Sequence, residues 1–297
     1  MVVLYFVVMD LEWNNAYNKV LKAFFNEIIE IGAVMIDENM EVTDTFSALI
    51  RSQLSKKLSG RVRDLTHITN EDMYGGISFD RAISDFTKWI GDKDCVFMSW
   101  GNTDIHVLLE NLNCFCGTDS IPFIKSYADA QRYCQNRLKL GNAKQIGLSA
   151  AAAMFDIDVS EYSTHRALDD SLLTCRCLKK AYSAEDIGNY ISVCDDEFYK
   201  RLKFKAHNIT DIHSEKIDRS LMVCPCSECS NYMKRITKWR IVNQSFRATF
   251  YCRNCRRKSM FTIRYREYFD HIDIKTKVID LDDSEKEQTE KVNQPES

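Results

Sequence analysis

Four carboxylates and one histidine are spaced along this chain in a pattern that suits phosphodiester hydrolysis. The acidic residues are Asp10, Glu12, Asp104 and Asp170, and His165 stands five positions before the last of them. Mg²⁺ and Mn²⁺ prefer oxygen ligands, and two such ions can stabilise the attacking and the leaving oxygen of an in-line displacement. The histidine adds a base that titrates near neutral pH. The set therefore predicts a two-metal hydrolytic site.

The first acidic pair follows an apolar segment over residues 1–9. A continuous apolar run of this length predicts a central strand that is covered on both faces. Asp10 and Glu12 then lie at its end, two residues apart and on the same side. A cation between two such carboxylates removes their mutual repulsion. An ordinary strand end that faces water is the alternative for this pair taken alone.

Asp104 is predicted to lie just beyond a second buried strand, over residues 95–99. Asn102 suits the N-cap of a helix over 103–112, which places Asp104 in the first turn of that helix. Ligand sites in open α/β sheets lie outside the carboxyl ends of such strands. An aspartate that only complements the helix dipole is the alternative here.

Asp170 is predicted near the start of a helix over 167–182, with His165 in the loop before it. From a loop, the His165 side chain can reach a metal site without being a ligand itself. A capping or packing histidine and a solvated aspartate are the alternatives for these two residues.

The rest of this region alternates between strand and helix patterns. Apolar and alternating runs predict strands over 27–36 and 42–50. Helical periodicity predicts helices over 79–90 and 148–155. The alternation indicates an α/β domain that attaches each acidic block to a different element.

In combination and in this order, the residues resemble the three sequence blocks of the DEDDh branch of the 3′→5′ exonuclease superfamily. Asp10 and Glu12 match the first block, Asp104 matches the aspartate of the second, and His165 with Asp170 matches the third. The resemblance implies that these five residues are catalytic, with the four carboxylates as ligands of two Mg²⁺ or Mn²⁺ ions and the histidine as general base.

The resemblance covers residues 1–182 and implies a ribonuclease H-like mixed sheet flanked by helices. The Trp-Gly-x-x-Asp form of the second block, residues 100–104, is similar to the bacterial sporulation-inhibitor-type and animal histone-mRNA 3′-exonuclease group. Thr103 departs from that group, where an aromatic residue often precedes the aspartate. Because the group leans toward RNA, the resemblance implies a single-stranded RNA 3′ end as substrate, while DNA stays open.

Hydrolysis of this kind implies nucleoside 5′-monophosphates as products. Leu11 and Trp13, which flank the acidic pair, are candidate stacking surfaces for the last base, with core packing as the alternative. A DNA-directed exonuclease of the proofreading or repair kind is the second functional hypothesis. A binding protein that keeps the fold without activity is the third.

Near the carboxyl end, two Cys-x₂-Cys pairs are separated by twenty-two residues. Cys226, Cys229, Cys252 and Cys255 have the spacing of a zinc ribbon, in which four thiolates hold one structural Zn²⁺. Cys224 offers an alternative to Cys226 as a ligand. Disulfides are the rival interpretation, but residues 1–9 lack the features of a signal peptide. Because the apolar run over 1–9 is also too short to span a membrane, the sequence predicts a cytoplasmic protein with no membrane segment.

Charge is divided unevenly along the chain, although the net charge is only −3. Residues 219–266 hold twelve basic residues and one acidic residue, whereas residues 267–297 hold four basic and ten acidic ones. A basic ribbon with interleaved aromatic residues predicts nucleic-acid binding, and docking of a protein partner is the alternative. The candidate contacts in the ribbon are Lys238, Trp239, Arg240, Arg256 and Arg257.

The sequence thus predicts four consecutive regions. They are an exonuclease domain over 1–183, a helical connector over 184–218, a zinc ribbon over 219–270 and an acidic tail without fixed structure over 271–297.

Overall fold

The computed structural model describes residues 5–19, 22–141, 145–160, 162 and 165–281. It divides into two compact units, which meet in the sequence between Lys203 and Phe204. Among the described residues, no helix is long and apolar enough to cross a bilayer.

The first unit is built on a mixed six-stranded sheet. Its strands are β1 (Tyr5–Asn18), β2 (Ala23–Ile36), β3 (Val42–Leu49), β4 (Cys95–Ser99), β5 (Ser126–Asp129) and β6 (Ile191–Val193). Their order across the sheet is β3-β2-β1-β4-β5-β6. β1, β4 and β5 are parallel to one another, and the β1–β2, β2–β3 and β5–β6 pairs are antiparallel.

Helices cover both faces of this sheet, as the expected ribonuclease H-like fold requires. They are α1 (Gly60–Thr66), α2 (Asn70–Gly75), α3 (Phe79–Ile90), α4 (Thr103–Cys116), α5 (Ala130–Arg137), α6 (Leu148–Met154), α7 (Ala167–Ala181) and α8 (Asp196–Lys203). Val7 and Met9 of β1 pack into the core with α3 and α4, whereas Phe6 and Val8 pack into the core with α5 and α7. This alternation confirms a central strand buried on both sides.

The prediction that Asp10 and Glu12 lie at the end of β1 is wrong. The strand continues to Asn18 because β2 pairs with it from Phe6 to Asn18, with a bulge at Glu12 and Trp13. β4 accompanies β1 only as far as Val8. The polar residues of the hairpin resemble a loop in sequence, but their partner strand supplies the hydrogen bonds that keep them extended.

The three elements before and around Asp104 begin where the sequence predicts them. The helix over 79–90 and the strand over 95–99 have the predicted bounds. α4 begins at Thr103 as predicted but runs on to Cys116, where Gly117 ends it with a left-handed φ of 69°. Within the described residues, the Asn102 side chain makes no capping hydrogen bond.

The second unit is a smaller antiparallel sheet. Its strands are β7 (His207–Asn208), β8 (Lys234–Arg235), β9 (Arg240–Val242), β10 (Ser245–Tyr251), β11 (Lys258–Glu267) and β12 (Ile272–Asp280). The order is β12-β11-β10-β8, with β9 also paired to β10 and β7 to β11. One face of the sheet covers a core that includes Phe246, Phe250, Phe261, Ile263 and Tyr265.

The predicted helical connector over 184–218 is helical only in part. β6 pairs with β5 at the edge of the first sheet. α8 also belongs to the first unit, in which the Tyr199 hydroxyl accepts the backbone N–H of Ile121 at 3.0 Å. The first unit therefore extends to Lys203, beyond the predicted boundary at 183.

The predicted unstructured tail over 271–297 begins too early. Residues 272–280 form β12, which pairs with β11 along its whole length. Three of its charged residues, Asp273, Lys275 and Lys277, alternate with residues of the opposite face, on which Ile272 and Ile274 pack toward the ribbon core. The tail prediction for residues 282–297 lies outside the described residues.

Candidate functional site

The first acidic pair lies in the middle of the long hairpin. Asp10 stands opposite Gly32 of β2, and Glu12 stands opposite Glu30. Both side chains project from the same side of β1, just past the point where β4 stops pairing with it. The sheet therefore holds the two carboxylates rigidly at the carboxyl ends of its parallel strands.

α4 brings Asp104 to this pair. Its carboxylate is buried, with 5% of the residue exposed, and accepts the backbone N–H of Leu11 at 3.2 Å. The turn before the helix is tied by Gly101, whose carbonyl accepts the Ser99 and Tyr127 hydroxyls at 2.7 Å each. Asp104 thus contacts the strand segment that separates the first two acids.

The third block closes the site. His165 adopts a left-handed φ of 64°, and its backbone N–H donates to Asp170 Oδ2 at 3.2 Å. A ring nitrogen of His165 and carboxylate oxygens of Glu12 and Asp170 all lie within 4.8 Å of one another. The His165 side chain is exposed, so it can meet a substrate that arrives from solvent.

Sequence reasoning missed the ion pair that supports this block. Glu30 is 1% exposed, and its Oε1 accepts Nη2 of Arg166 at 2.7 Å while both oxygens accept Nε at 3.2 Å. The N–H of Ala167, at the start of α7, also donates to Glu30 Oε2 at 3.1 Å. The available signal was an acid inside a strand predicted to be covered on both faces, because a buried charge requires a partner.

Gly32 allows α7 to approach the sheet. A Cβ at this position would lie 2.1 Å from the backbone carbon of Ala167 and from the backbone nitrogen of Leu168. The Ser171 hydroxyl donates to the Gly32 carbonyl at 3.1 Å, which fixes the same contact. The helix that carries Asp170 therefore rests directly on the strand opposite Asp10.

Replacing Gly32 by Ala is expected to move α7 and lower the hydrolytic rate about 100-fold, because small displacements of catalytic groups have effects of this size. The free energy of unfolding should fall by about 1–3 kcal/mol from overpacking. Steady-state hydrolysis and urea denaturation measure the two effects. Gly60→Ala is the control, since a Cβ there meets nothing within 4 Å. A Gly32→Ala variant as active as this control would contradict the packing argument.

Burial and mutual repulsion raise the pKa of every carboxylate in the set. For Asp10, desolvation comes first and is followed by the charges of Asp104, Asp170 and Glu12. Burial is the main reason that the pKa of Glu12 rises to about 8. Burial also raises the pKa of Asp104 to about 7, although the hydrogen bond from the Leu11 N–H lowers that pKa in part. Burial also raises the pKa of Asp170. Clustered oxygen donors of this kind fit divalent cations, which would remove the repulsion.

The two proposed stacking residues beside the acids differ in position. Leu11 is 2% exposed and lies in the hydrophobic core, so the core-packing alternative describes its side chain. Trp13 is half-buried and packs on the same core. Leu11 contributes to the site through its backbone N–H instead.

In the second unit, the four predicted zinc ligands converge. The Sγ atoms of Cys226, Cys229, Cys252 and Cys255 all lie within 4.8 Å of one another, and those of Cys229 and Cys252 are 3.6 Å apart. A tetrahedral Zn–S site with bonds of ~2.3 Å has sulfur–sulfur distances of about 3.8 Å. Cys224 lies outside this cluster, and its Sγ contacts Met233 Sδ at 3.8 Å.

The two Cys-x₂-Cys turns share one geometry. The residue after each second cysteine, Ser230 or Arg256, has a left-handed φ of 59° or 56°. Each first cysteine donates its N–H across the turn, Cys226 to Asn231 at 3.0 Å and Cys252 to Arg257 at 2.9 Å. The backbone N–H of Asn231 also contributes most to lowering the pKa of the Cys229 thiol to about 6. The hydrogen bond to Cys229 raises the pKa of Cys255 to about 12, so Cys229 is the one of these two sulfurs that ionises first, and the thiolate is the form that binds metal.

The predicted nucleic-acid contacts of the ribbon differ in their exposure and in their partners. Trp239 packs edge-on against Phe250 and Phe261, at centroid distances of 5.8 and 6.2 Å. Arg257 forms an ion pair with Glu228, which ties the two cysteine turns together. The remaining candidates, Lys238, Arg240 and Arg256, are exposed.

Comparisons with known proteins agree with this geometry. Residues 7–178 match the RNase_T family, described as Exonuclease. The probable 3′-5′ exonuclease KapD of Bacillus subtilis (strain 168) is 32% identical over 157 residues, which are 52% of this chain and 73% of that protein. PolC-type DNA polymerase III of Thermotoga petrophila is 26% identical over 171 residues, which are 58% of this chain but 11% of the polymerase.

Solved structures share the fold at low sequence identity. A 3′-exonuclease described in specific recognition of the 3′ end of the histone mRNA stem-loop has a TM-score of 0.52 and 19% identity, covering 64% of this chain and 84% of its own. Cell-death related nuclease 4 has a TM-score of 0.51 and 17% identity, covering 64% of this chain and 65% of its own. With the family match and the constellation of four carboxylates and a histidine, the chain belongs to the exonuclease family, as a 3′-5′ exonuclease of the DEDDh type.

Proposed function

We propose that this protein removes nucleotides one at a time from the 3′ end of single-stranded RNA and releases nucleoside 5′-monophosphates. The convergence of Asp10, Glu12, Asp104 and Asp170 beside His165 is the observation that carries the proposal. The RNA preference rests on the Trp-Gly-x-x-Asp block and on the fold shared with an exonuclease whose description names histone mRNA.

The carboxylates suit two Mg²⁺ or Mn²⁺ ions, which when bound supply charge neutralisation and a more acidic water for attack on phosphorus. His165 would accept the proton of that water, since its ring is exposed and lies beside Glu12 and Asp170. Glu30 binds the Arg166 side chain and the Ala167 N–H, which directly follow His165 at the start of α7, so that the base keeps its position.

In the second unit we propose one structural Zn²⁺ on Cys226, Cys229, Cys252 and Cys255, with Cys224 as a packing residue. Four sulfur atoms that lie within 4.8 Å of one another suit one tetrahedral metal ion. The cytoplasmic location remains a prediction from the sequence. A protein partner of the ribbon remains the alternative to nucleic acid.

DNA is the second candidate substrate, because PolC-type DNA polymerases are among the relatives in sequence. Single-stranded RNA and DNA of one sequence, labelled at the 5′ end, distinguish the two when incubated with Mg²⁺ or Mn²⁺. A 3′-shortening ladder on RNA that is much weaker on DNA supports the proposal, and Asp10→Ala should abolish it. A ladder that favours DNA would move the protein to the proofreading or repair type with the site unchanged.

The stability of the metal-free protein is expected to fall as the pH rises from about 4.5 to 8. The folded carboxylates have raised pKa values, up to about 7 for Asp104 and about 8 for Glu12, so the folded state loses protons at higher pH than the unfolded chain. Mg²⁺ binds the deprotonated ligands, so it should raise the Tm more at about pH 8 than at about pH 5.5. The gain approaches about 2.7 kcal/mol at a hundredfold excess over Kd. Equal thermal shifts at both pH values would contradict this expectation.

A further inference from the structure

The open face of the second sheet is strongly basic. Along β10, Phe246, Ala248 and Phe250 are buried, so the alternating residues face the other way, and β11 follows the same rule from Ser259 to Tyr265. This second face, which we name the basic face, carries cations contributed by four strands. They are Arg240 on β9, Arg247 on β10, Arg264 and Arg266 on β11, and Lys275 and Lys277 on β12.

Like charges stand directly opposite each other on this face. Arg240 pairs with Arg247, and Arg264 pairs with Lys275. Cross-strand pairs of equal charge destabilise a sheet, so neither pair is explained by folding. Within the described strands of this face, the one carboxylate at a paired position is that of Asp273. Its Oδ2 lies 3.5 Å from Nζ of Lys275. The net charge of the face is therefore strongly positive and attracts anions.

Two arginines of this face are only half-buried. Within the described chain, the Nε–H groups of Arg247 and Arg266 are enclosed and have no hydrogen-bond partner. Their side chains are nevertheless partly accessible, so their outer N–H groups are placed to bind a phosphate, which arginine binds well. The Arg266 guanidinium lies 5.4 Å from the centroid of the Tyr268 ring, which restricts its orientation.

One end of the basic face meets a cleft that can hold a base. The cleft has a volume of about 540 Å³, and its lining includes Tyr232, Lys234, Tyr251 and Arg253. Tyr251 stands opposite Lys234 in the sheet, and Tyr232 is 77% exposed. Stacking on exposed tyrosines beside cations is the usual mode of binding single strands without sequence preference. Trp239, the aromatic residue that the sequence suggested, is instead engaged with the ribbon core.

We propose that the basic face and its tyrosine cleft bind the sugar–phosphate backbone and a base of the single strand whose 3′ end is degraded. This inference rests on the proposed function, and it identifies the surface of the second unit that binds the substrate strand. The occupant is a single-stranded nucleic acid, because rows of arginine pairs complement a phosphate chain and the tyrosines complement bases.

The test measures binding of a fluorescent single strand of about 20 nucleotides to the full chain carrying Asp10→Ala, by anisotropy at several salt concentrations. Adding Arg247→Gln and Arg264→Gln should weaken binding at least about tenfold and reduce the slope of log Kd against log salt by about 1.4, or ~0.7 for each lost phosphate contact. Arg240→Gln with Lys277→Gln, both at exposed positions, should act in the same direction. This second pair keeps the test valid if the first variant fails to fold.

Lys93→Gln with Lys125→Gln is the control, because it removes the same charge from exposed positions of the first unit, just before β4 and β5. The control should change the Kd less than twofold. Equal weakening by the control, or unchanged binding by both variants of the basic face, would overturn the inference. Equally strong displacement by poly-glutamate would assign the face to an acidic protein instead.

Hydrolysis of a labelled dinucleotide by the chain with Asp10 intact separates this inference from the proposed function. The variants of the basic face should keep the parental rate on this short substrate. A parent that binds the long strand through the basic face but hydrolyses nothing would overturn the proposed function alone. A parent that hydrolyses RNA but binds it equally well without these arginines would overturn the inference alone.

Discussion

Replacing Asp10 by Asn is expected to lower the hydrolytic rate at least about a thousandfold, equivalent to about 4 kcal/mol of transition-state stabilisation. Asp10 is partly buried near three other carboxylates, and an amide of equal size cannot neutralise a divalent cation. Single-turnover hydrolysis of labelled RNA at saturating Mg²⁺ measures the loss. Activity within tenfold of the wild type would remove Asp10 from the metal site.

The same variant should be more stable than the wild type when metal is absent. Burial and the charges of Asp104, Asp170 and Glu12 oppose ionisation of Asp10, and the neutral amide relieves that repulsion. Urea denaturation at about pH 8, in a buffer without added Mg²⁺, Mn²⁺ or chelator, should therefore show a higher midpoint for Asp10→Asn. Asp169→Asn, one residue from a predicted ligand, is the control and should leave the rate nearly unchanged. A rate loss at Asp169 equal to that at Asp10 would contradict the assignment of the third block.

Replacing Cys252 by Ser is expected to release the zinc ion and unfold the second unit. Structural zinc contributes about 10–16 kcal/mol in small zinc-finger peptides, which exceeds the stability of most small domains. Zinc content by mass spectrometry and proteolysis of residues 204–281 measure the two effects. The dinucleotide-hydrolysing site of the first unit should persist, because its residues all precede Lys203.

Cys224→Ala is the matched control for this prediction. Cys224 is buried but lies outside the sulfur cluster, so its loss should cost about 1 kcal/mol and leave one zinc ion per chain. Zinc lost from Cys224→Ala but retained in Cys252→Ser would exchange the roles of these residues. Zinc retained by both variants would show that the cluster is not the binding site.

The site could be predicted from the sequence because its ligands are attached to short, strongly patterned elements. The strand over 95–99 and the start of α4 place Asp104 from local signals alone. The Glu30–Arg166 pair could not be found in this way, because its partners are 136 residues apart and only the packing of α7 on Gly32 brings them together. The convergence of the four cysteines was predictable because two Cys-x₂-Cys pairs leave few other arrangements.

The fold was less predictable where partner strands override local composition. The polar half of β1 is extended because β2 supplies its hydrogen bonds, and charged β12 is extended because β11 does so. The basic face depends on the register of these strands. A shift of one residue in β12 would turn Lys275 and Lys277 toward the core. Composition therefore predicts a positive charge in this region but not the face of the sheet that carries it.

The interaction of Asp104 with Leu11 spans 93 residues of sequence, and that of Arg166 with Glu30 spans 136. During synthesis the chain emerges from its amino end, so β1 and its two acids leave the ribosome long before α7 exists. Until α7 docks on Gly32, the nascent chain lacks both the fourth carboxylate and the base. The nuclease site therefore cannot form, and nucleic acid cannot be hydrolysed, until α7 has been synthesised and has docked on β2.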